Sequence, residues 1–370
     1  MRILFVITSS HIGGTENFLF QLVTHLDASR FQPEVCSLKK TGYYAQRLRE
    51  RGIPVYSLNM PEEVNWMTPA CCLLGLIRLT CLIRKGEYTC VHAFLYRANI
   101  LSRIAGTLAG VPLIISSERG LTRHKHPVAV WLDRITAPLS RYTLAVSEAV
   151  ARQLQVRERI HPARIRVIYS GVDTKRGANP EDILRLKCNL GLSVHEQIIG
   201  CVARLHPDKG VEDLVRAAAA LELGSGNFRI ILAGDGPERK PLEALAERLG
   251  VRSRILFLGF RNDVDSLLQT FDLFVLPSRE EGLPMSVLEA MSFGIPVVAT
   301  RVGGVPEIVL HNQTGILVPD HSPRELARAI STLIQDPALA RKLGEAGRLR
   351  VRNQFSFRKT VEQIERLYEG

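Results

Sequence analysis

Short apolar runs, many of them β-branched, recur along the chain, and between them lie stretches whose apolar residues return every three or four positions. The first pattern predicts strands, the second helices. In the first half, strands are expected at RILFVIT (2–8), PEVCSL (33–38), PVYSL (54–58), TCVHAF (89–94), PLIISS (112–117), TLAVS (143–147) and IRVIY (165–169). In the second half they are expected at QIIGCVAR (197–204), FRIILAG (228–234), RILFLG (254–259), LFVLPS (273–278), PVVAT (296–300) and GILVP (315–319). Strands that alternate with helices in this way predict parallel sheets with crossover helices, hence an α/β chain of two doubly wound halves.

The turn-rich segment SGVDTKRGANPED (170–182) is the expected boundary, dividing the chain into 1–175 and 176–354. The final FSFRKTVEQIERLYEG (355–370) has apolar residues at helical spacing and is expected to dock back on the first half. A length of 370 residues suits two domains with a core each, and 46% hydrophobic with 23% charged residues is an ordinary globular balance.

Seven cysteines, odd in number and without a zinc-type CxxC pair, predict reduced thiols in a cytosolic compartment, serving as core filler. The opening MRILFVITSS lacks a small-residue cleavage site and reads as a first strand rather than a leader. ACCLLGLIRLTCLIRK (70–85) is apolar nearly all round, yet too short to span a bilayer and interrupted by Arg78. Two readings of it stay open, a buried helix and a patch resting on lipid.

Charge changes the picture further. Up to residue 173 there are 22 lysines and arginines against 12 acids, whereas the remainder has 26 against 25. The basic excess in the first half suits an anionic partner such as a phosphorylated acceptor, an anionic membrane surface or nucleic acid. With no zinc-finger spacing, RNP-like aromatic segment or basic heptad array, a nucleic-acid partner is not expected.

In open α/β sheets ligands sit beyond the carboxyl ends of the strands, so candidate chemistry is sought in the loops that follow them. After the first strand, Gly13 and Gly14 let backbone approach a ligand at a helix start, although a plain strand-to-helix turn explains them equally and no GxGxxG is present. In GCVARLHPDKGVEDLV (200–215), Arg204 and Lys209 are five apart across a tight loop and can clamp a diphosphate. Gly234 and Gly236 in AGDGPER, with Gly259 and Phe260 in FLGFRNDV, permit the close backbone contact a nucleobase slot needs. EGLPMSVLEAMSFGIPVV (281–298) sets Glu281 and Glu289 on either side of a turn and a helix start. Ser286 and Glu289 also have capping-box spacing, so a purely local reading of Glu289 stays open.

Taken in order, GGTE (13–16), VHAFLYRANILSR (91–103), AVSEAV (145–150), VIYSGVD (167–173), ARLHPDKG (203–210), AGDGPER (233–239), FLGF (257–260), EGLPMSVLEAMSFGIPVVAT (281–300), GGVPEIV (303–309) and TGILVP (314–319) resemble the retaining glycosyltransferases of family 4. The resemblance covers most of the chain. It implies the GT-B architecture, two Rossmann-like domains facing a central cleft, and transfer of a hexose from a nucleotide-diphosphate-sugar donor to a hydroxyl of a lipid-linked or cell-surface glycan. It further implies that Glu289 receives the donor ribose, Glu281 holds the donor sugar, and Arg204 and Lys209 neutralise the leaving diphosphate without a metal or other cofactor.

On the same ground, backbone near Gly282, Leu283 and Met285 is expected to face the sugar and phosphate, and His92 is a candidate catalytic residue. Arg119, Arg123 and Lys125, directly after a strand in SERGLTRHKHP (117–127), are acceptor-side candidates, with a solvated charge run as the plain alternative. The chain departs from the family pattern at Phe94, where a second histidine is common, at Ser170, where asparagine is usual, and in Gly-Leu-Pro after Glu281, where Gly-Phe-Gly is frequent. Two other activities stay open, a nucleotide-sugar epimerase of the same architecture and a non-catalytic nucleotide-sugar-binding protein.

Overall fold

The structure is a computed structural model that describes the chain except residues 12, 62–68, 122–124, 174–178, 194 and 222–226. Each of the thirteen apolar runs forms a strand: β1 Arg2–Ile7, β2 Gln32–Ser37, β3 Val55–Ser57, β4 Cys90–Phe94, β5 Leu113–Glu118, β6 Tyr142–Ala145 and β7 Ile165–Val167, then β8 Gln197–Val202, β9 Phe228–Ala233, β10 Ile255–Gly259, β11 Leu273–Leu276, β12 Val297–Thr300 and β13 Ile316–Val318. Four runs, those of β6, β7, β8 and β11, stop two residues sooner than their apolar pattern. The chain leaves the sheet after Val202 and after Leu276, which places Arg204 and Ser278 in loops.

The strands make two sheets, ordered β3-β2-β1-β4-β5-β6-β7 and β10-β9-β8-β11-β12-β13, and the strand pairs within them are parallel. Both are doubly wound. The order reverses between β1 and β4 in the first and between β8 and β11 in the second, and at such a point two adjacent strands send their loops in opposite directions and leave a crevice. Residues 1–170 with 360–370 form one compact unit, and 171–359 form another.

In the first unit, side chains alternate between the two faces of the sheet. Leu4, Val6, Val91 and Ala93 pack with Leu79, Ile83, Ala98 and Ala105 of the helices Pro69–Gly86 and Tyr96–Ala109. Phe5, His92 and Phe94 stack with one another, and on their side lie Phe18 and Tyr368, the latter from the helix Phe357–Glu369. In the second unit, Ile199, Ile230, Leu232, Val275 and Val298 join Leu214, Ala218, Leu326 and Ile330 in one core. Each such aliphatic side chain contributes roughly 1.5–3 kcal/mol when fully buried.

The helix Pro69–Gly86 corrects one expectation. Leu79 and Ile83 are buried, but Leu73, Leu74 and Ile77 are 58%, 47% and 51% exposed, so only one face is covered. No helix among the described residues is long and apolar enough to cross a membrane. Among the seven free thiols, Cys36, Cys90 and Cys201 are buried and fill core as expected, whereas Cys81 and Cys188 are exposed.

Candidate functional site

The switch point of the second sheet brings two of the charged candidates of that unit, Lys209 and Glu281, into contact. After β8 the chain makes a tight turn, Pro207–Lys209, and enters the helix Val211–Ala220; after β11 it runs through Pro277–Pro284 into the helix Met285–Ser292. Because β8 and β11 are parallel neighbours, both loops emerge at one sheet edge. Lys209 Nζ lies 2.8 Å from Oε1 of Glu281, and Ser278 Oγ donates to the same oxygen at 2.7 Å. Both charged side chains are largely shielded, at 17% and 10% exposure. Arg204 behaves differently: its side chain is 72% exposed and lies 3.8 Å from Asp208.

The loops are held together by backbone. Arg279 N–H donates to the Asp208 carbonyl at 2.8 Å, and the Arg279 guanidinium reaches Glu212 at 3.5 Å. Gly210 sits at φ +56°, and a Cβ there would come within 2.2 Å of the Pro277 carbonyl oxygen, so only glycine allows the two loops this approach. The loop after β9 joins in the same way. Leu205 N–H donates to Asp235 O and Glu238 N–H to Leu205 O, both at 3.0 Å. A Cβ on Gly234 would fall 1.9 Å from Ala203 O, and one on Gly236 would fall 2.2 Å from Leu205 O. Gly234 N–H in turn donates to Gly259 O at 2.8 Å. These glycines hold three loops against one another, and the next residue, Phe260, presents a ring that is 54% exposed.

The helix Met285–Ser292 resolves the local reading of Glu289. Its N-cap is Pro284, which makes no side-chain cap, so Ser286 and Glu289 occupy the second and fifth helical positions and no capping box forms. Glu289 is partly exposed, Gly282 and Leu283 are buried, and Met285 is partly exposed. The first N–H groups of this helix have no intrahelical acceptor and carry the positive end of its dipole.

In the first unit, Gly13 is the extended N-cap of the helix Gly14–His25, and open space surrounds the position a Gly14 Cβ would take. His92 requires a correction. It points to the sheet face beneath the helix Phe357–Glu369, is 0% exposed, and its Nδ1 and Nε2 lie 2.7 Å from the Tyr368 hydroxyl and 2.8 Å from Ser117 Oγ. Burial, with a smaller push from Arg119, drives it down to about 3. A neutral ring with both nitrogens engaged inside a core is a structural group and is not placed to touch substrate.

Lys125 is corrected for a similar reason. Its side chain is 5% exposed, pairs with Asp133, lies 3.5 Å from Glu158 and sits over the Tyr96 ring at 4.4 Å. Arg103 binds the other oxygen of Asp133 at 2.7 Å. Two cations and two acids thus form a buried network that the sequence did not announce. Arg119 is partly buried over the Phe18 ring at 3.6 Å, and it donates to Ser170 Oγ at 2.8 Å. Arg123 lies outside the described residues.

Ser278, Tyr368, Asp133 and Glu158 escaped the sequence reading. Ser278 had a faint signal, a hydroxyl at the polar end of an apolar strand; the others are ordinary residues whose partners stand on other elements of the fold. Among the described residues, no group of three or more histidines, cysteines or acids is arranged to hold a metal ion.

Comparison with known proteins bears on this geometry. The family model for glycosyl transferases group 1 matches residues 185–350, and that for Glycosyltransferase Family 4 matches 12–176. The N-acetyl-alpha-D-glucosaminyl L-malate synthase of Bacillus anthracis is 34% identical over 64% of this chain and 61% of its own length, so the match spans about three fifths of that relative. The UDP-Gal:alpha-D-GlcNAc-diphosphoundecaprenol alpha-1,3-galactosyltransferase of Escherichia coli is 30% identical over 80% of this chain and 78% of its own. In structure, Anabaena HepE in complex with UDP superposes with a TM-score of 0.86 at 25% identity, covering 99% of both chains. By its sequence and by its two Rossmann-like units, the chain belongs to the glycosyl transferases group 1, within the family 4 type of GT-B glycosyltransferases.

Proposed function

We propose that this protein transfers a hexose from a nucleoside-diphosphate sugar to a hydroxyl of a lipid-linked or cell-surface glycan, with retention of the anomeric configuration and without a metal. One observation carries the reading: the contact of Lys209 with Glu281 at the sheet's switch point, beside the start of the helix Met285–Ser292. A cation, a carboxylate and helix N–H groups that have no intrahelical acceptor are the set that a sugar diphosphate requires. The cation and the helix dipole take the phosphates, and the carboxylate takes sugar hydroxyls.

In this scheme Arg204 and Lys209 stabilise the negative charge that builds on the departing diphosphate, worth most in the transition state. Glu281 orients the sugar, and backbone at Gly282, Leu283 and Met285 lies against it. Glu289 holds the ribose, while the loops of Gly234, Gly236, Gly259 and Phe260 receive the base. Residues 176–354 form the donor side, and 1–175 with 355–370 form the acceptor side, with Arg119 and Arg123 assigned to the acceptor and Gly13 and Gly14 assigned to donor binding. Support for a uridine donor and a diphosphate-lipid acceptor comes from the UDP bound in the HepE complex and from the substrates named for the E. coli relative.

The test is incubation with UDP-sugars in the presence and absence of polyprenyl-diphosphate-linked acceptors, followed by NMR of the product's anomeric linkage. Transfer with retention is expected. Isomerised donor without transfer would establish an epimerase, and binding without turnover would establish a binding protein.

A further inference from the structure

The first unit carries an exposed apolar surface spread over several helices. The connections β3 to β4, β4 to β5 and β5 to β6 all advance toward the β7 edge. Right-handed crossovers therefore set the helices Pro69–Gly86, Tyr96–Ala109 and Pro127–Thr136 side by side on one face of the sheet. On that layer Leu73, Leu74 and Ile77 are exposed from the first helix. Val128, Trp131 and Ile135, at 49%, 57% and 49%, are exposed from the third, at spacings of three and four that make one stripe. Leu108 adds a 55% exposed side chain from the helix between them.

Charge identifies what such a face suits. The first two helices contain no acid at all, and the single acid of the third, Asp133, is 1% exposed and bound by Arg103 and Lys125. Arg84, Lys85 and Arg134 are exposed on the same helices. A protein partner would ordinarily be met by both signs of charge. A layer that shows large apolar side chains, a tryptophan and only cations is complementary to the interface of an anionic bilayer.

We infer that the layer formed by these three helices is a monotopic docking face for an anionic lipid surface, with Leu73, Leu74, Ile77, Val128, Trp131 and Ile135 entering the interface. This rests on a different part of the chain from the proposed donor site and needs no turnover to be examined. It also extends the contact beyond the segment 70–85, to a second stripe centred on Trp131.

The whole protein is to be floated with vesicles of phosphatidylcholine alone or containing 30% phosphatidylglycerol, at low and at physiological salt. Binding is expected to the anionic vesicles only and to weaken as salt rises. The triple variants Leu73→Ser/Leu74→Ser/Ile77→Ser and Val128→Ser/Trp131→Ser/Ile135→Ser should each reduce the bound fraction about tenfold, since three apolar side chains no longer leave water. In a Trp66→Phe variant, which leaves Trp131 as the one tryptophan, brominated acyl chains should quench the emission of the bound protein.

Several results would overturn the inference: no binding to anionic vesicles, binding unchanged in both triple variants, or no quenching of Trp131 in the bound Trp66→Phe variant. So would sedimentation showing that the face mediates self-association, with the triple variants monomeric and lipid binding unaltered. UDP binding measured on the same samples separates this outcome from failure of the donor-site proposal.

Discussion

Lys209 Nζ and Glu281 Oε1 are 2.8 Å apart, so in the free protein the cation assigned to phosphate is already neutralised by the carboxylate assigned to sugar. Binding a donor then requires the two to share or exchange partners. Glu281→Gln should release Lys209 for phosphate and, at about 1 kcal/mol for a partly shielded pair, tighten UDP binding roughly fivefold. Turnover should fall in the same variant because the sugar loses its acceptor. Calorimetry with UDP and a steady-state assay measure the two; weaker UDP binding would show that the pair does not compete with phosphate.

Arg204 and Lys209 should separate in their side effects. Either alanine variant should lower turnover about 10² to 10³. Arg204→Ala, at a mostly solvated side chain, should leave the melting temperature unchanged, whereas Lys209→Ala leaves Glu281 with the Ser278 hydroxyl and no cation beside it and should lower it. Near-normal rates in both variants would refute the clamp. Activity should also persist in EDTA, and loss reversed by Mg²⁺ would assign the phosphate charge to a metal instead.

Glu289→Gln tests the ribose assignment free of the capping alternative. Since Pro284 is the cap, thermal stability should stay close to wild type. Donor affinity should fall about tenfold or more, the worth of a hydrogen bond to a charged group. Unchanged affinity would remove Glu289 from the site.

His92 predicts an acid limb. Its folded value is pushed down to about 3, so below the ordinary histidine range the unfolded chain binds the proton and the folded chain does not. The stability that depends on neutral His92 is complete above about pH 6.5 and is lost as the pH falls from there toward 3. A His92→Gln variant should be less stable at pH 7 yet show a shallower loss of denaturation midpoint between pH 6.5 and 5. An identical slope would place the titration elsewhere.

Lys125→Ala should act on folding. Removing it leaves Asp133 and Glu158 short of charge in a buried setting, at a cost of about 3–5 kcal/mol. The melting temperature should drop sharply while the KM for acceptor in the folded fraction stays near normal. A changed KM with an intact melt would return Lys125 to the acceptor side.

Much of this protein was legible along the chain. Thirteen strands follow from local apolar runs, because a strand buried on both faces needs continuous hydrophobicity and its signal is carried by adjacent residues. Arg204, Lys209, Glu281 and Glu289 could be selected because they stand in loops or at a helix start next to those strands. Sequence alone could not decide between a capping and a ligand role for Glu289, since Ser-x-x-Glu spacing is compatible with either until the helix start is known. The tertiary structure put that start at Met285, two residues too early for the box. It also decided the histidine and the lysine. His92 and Lys125 read as polar residues near strand ends, but which face a strand residue joins depends on a two-residue period, and their neighbours Tyr368 and Glu158 come from other elements of the fold, Tyr368 from the last helix of the chain. Local patterning sets secondary structure because its interactions are local; burial and partnership are set by contacts across hundreds of residues, and only the folded chain brings those together.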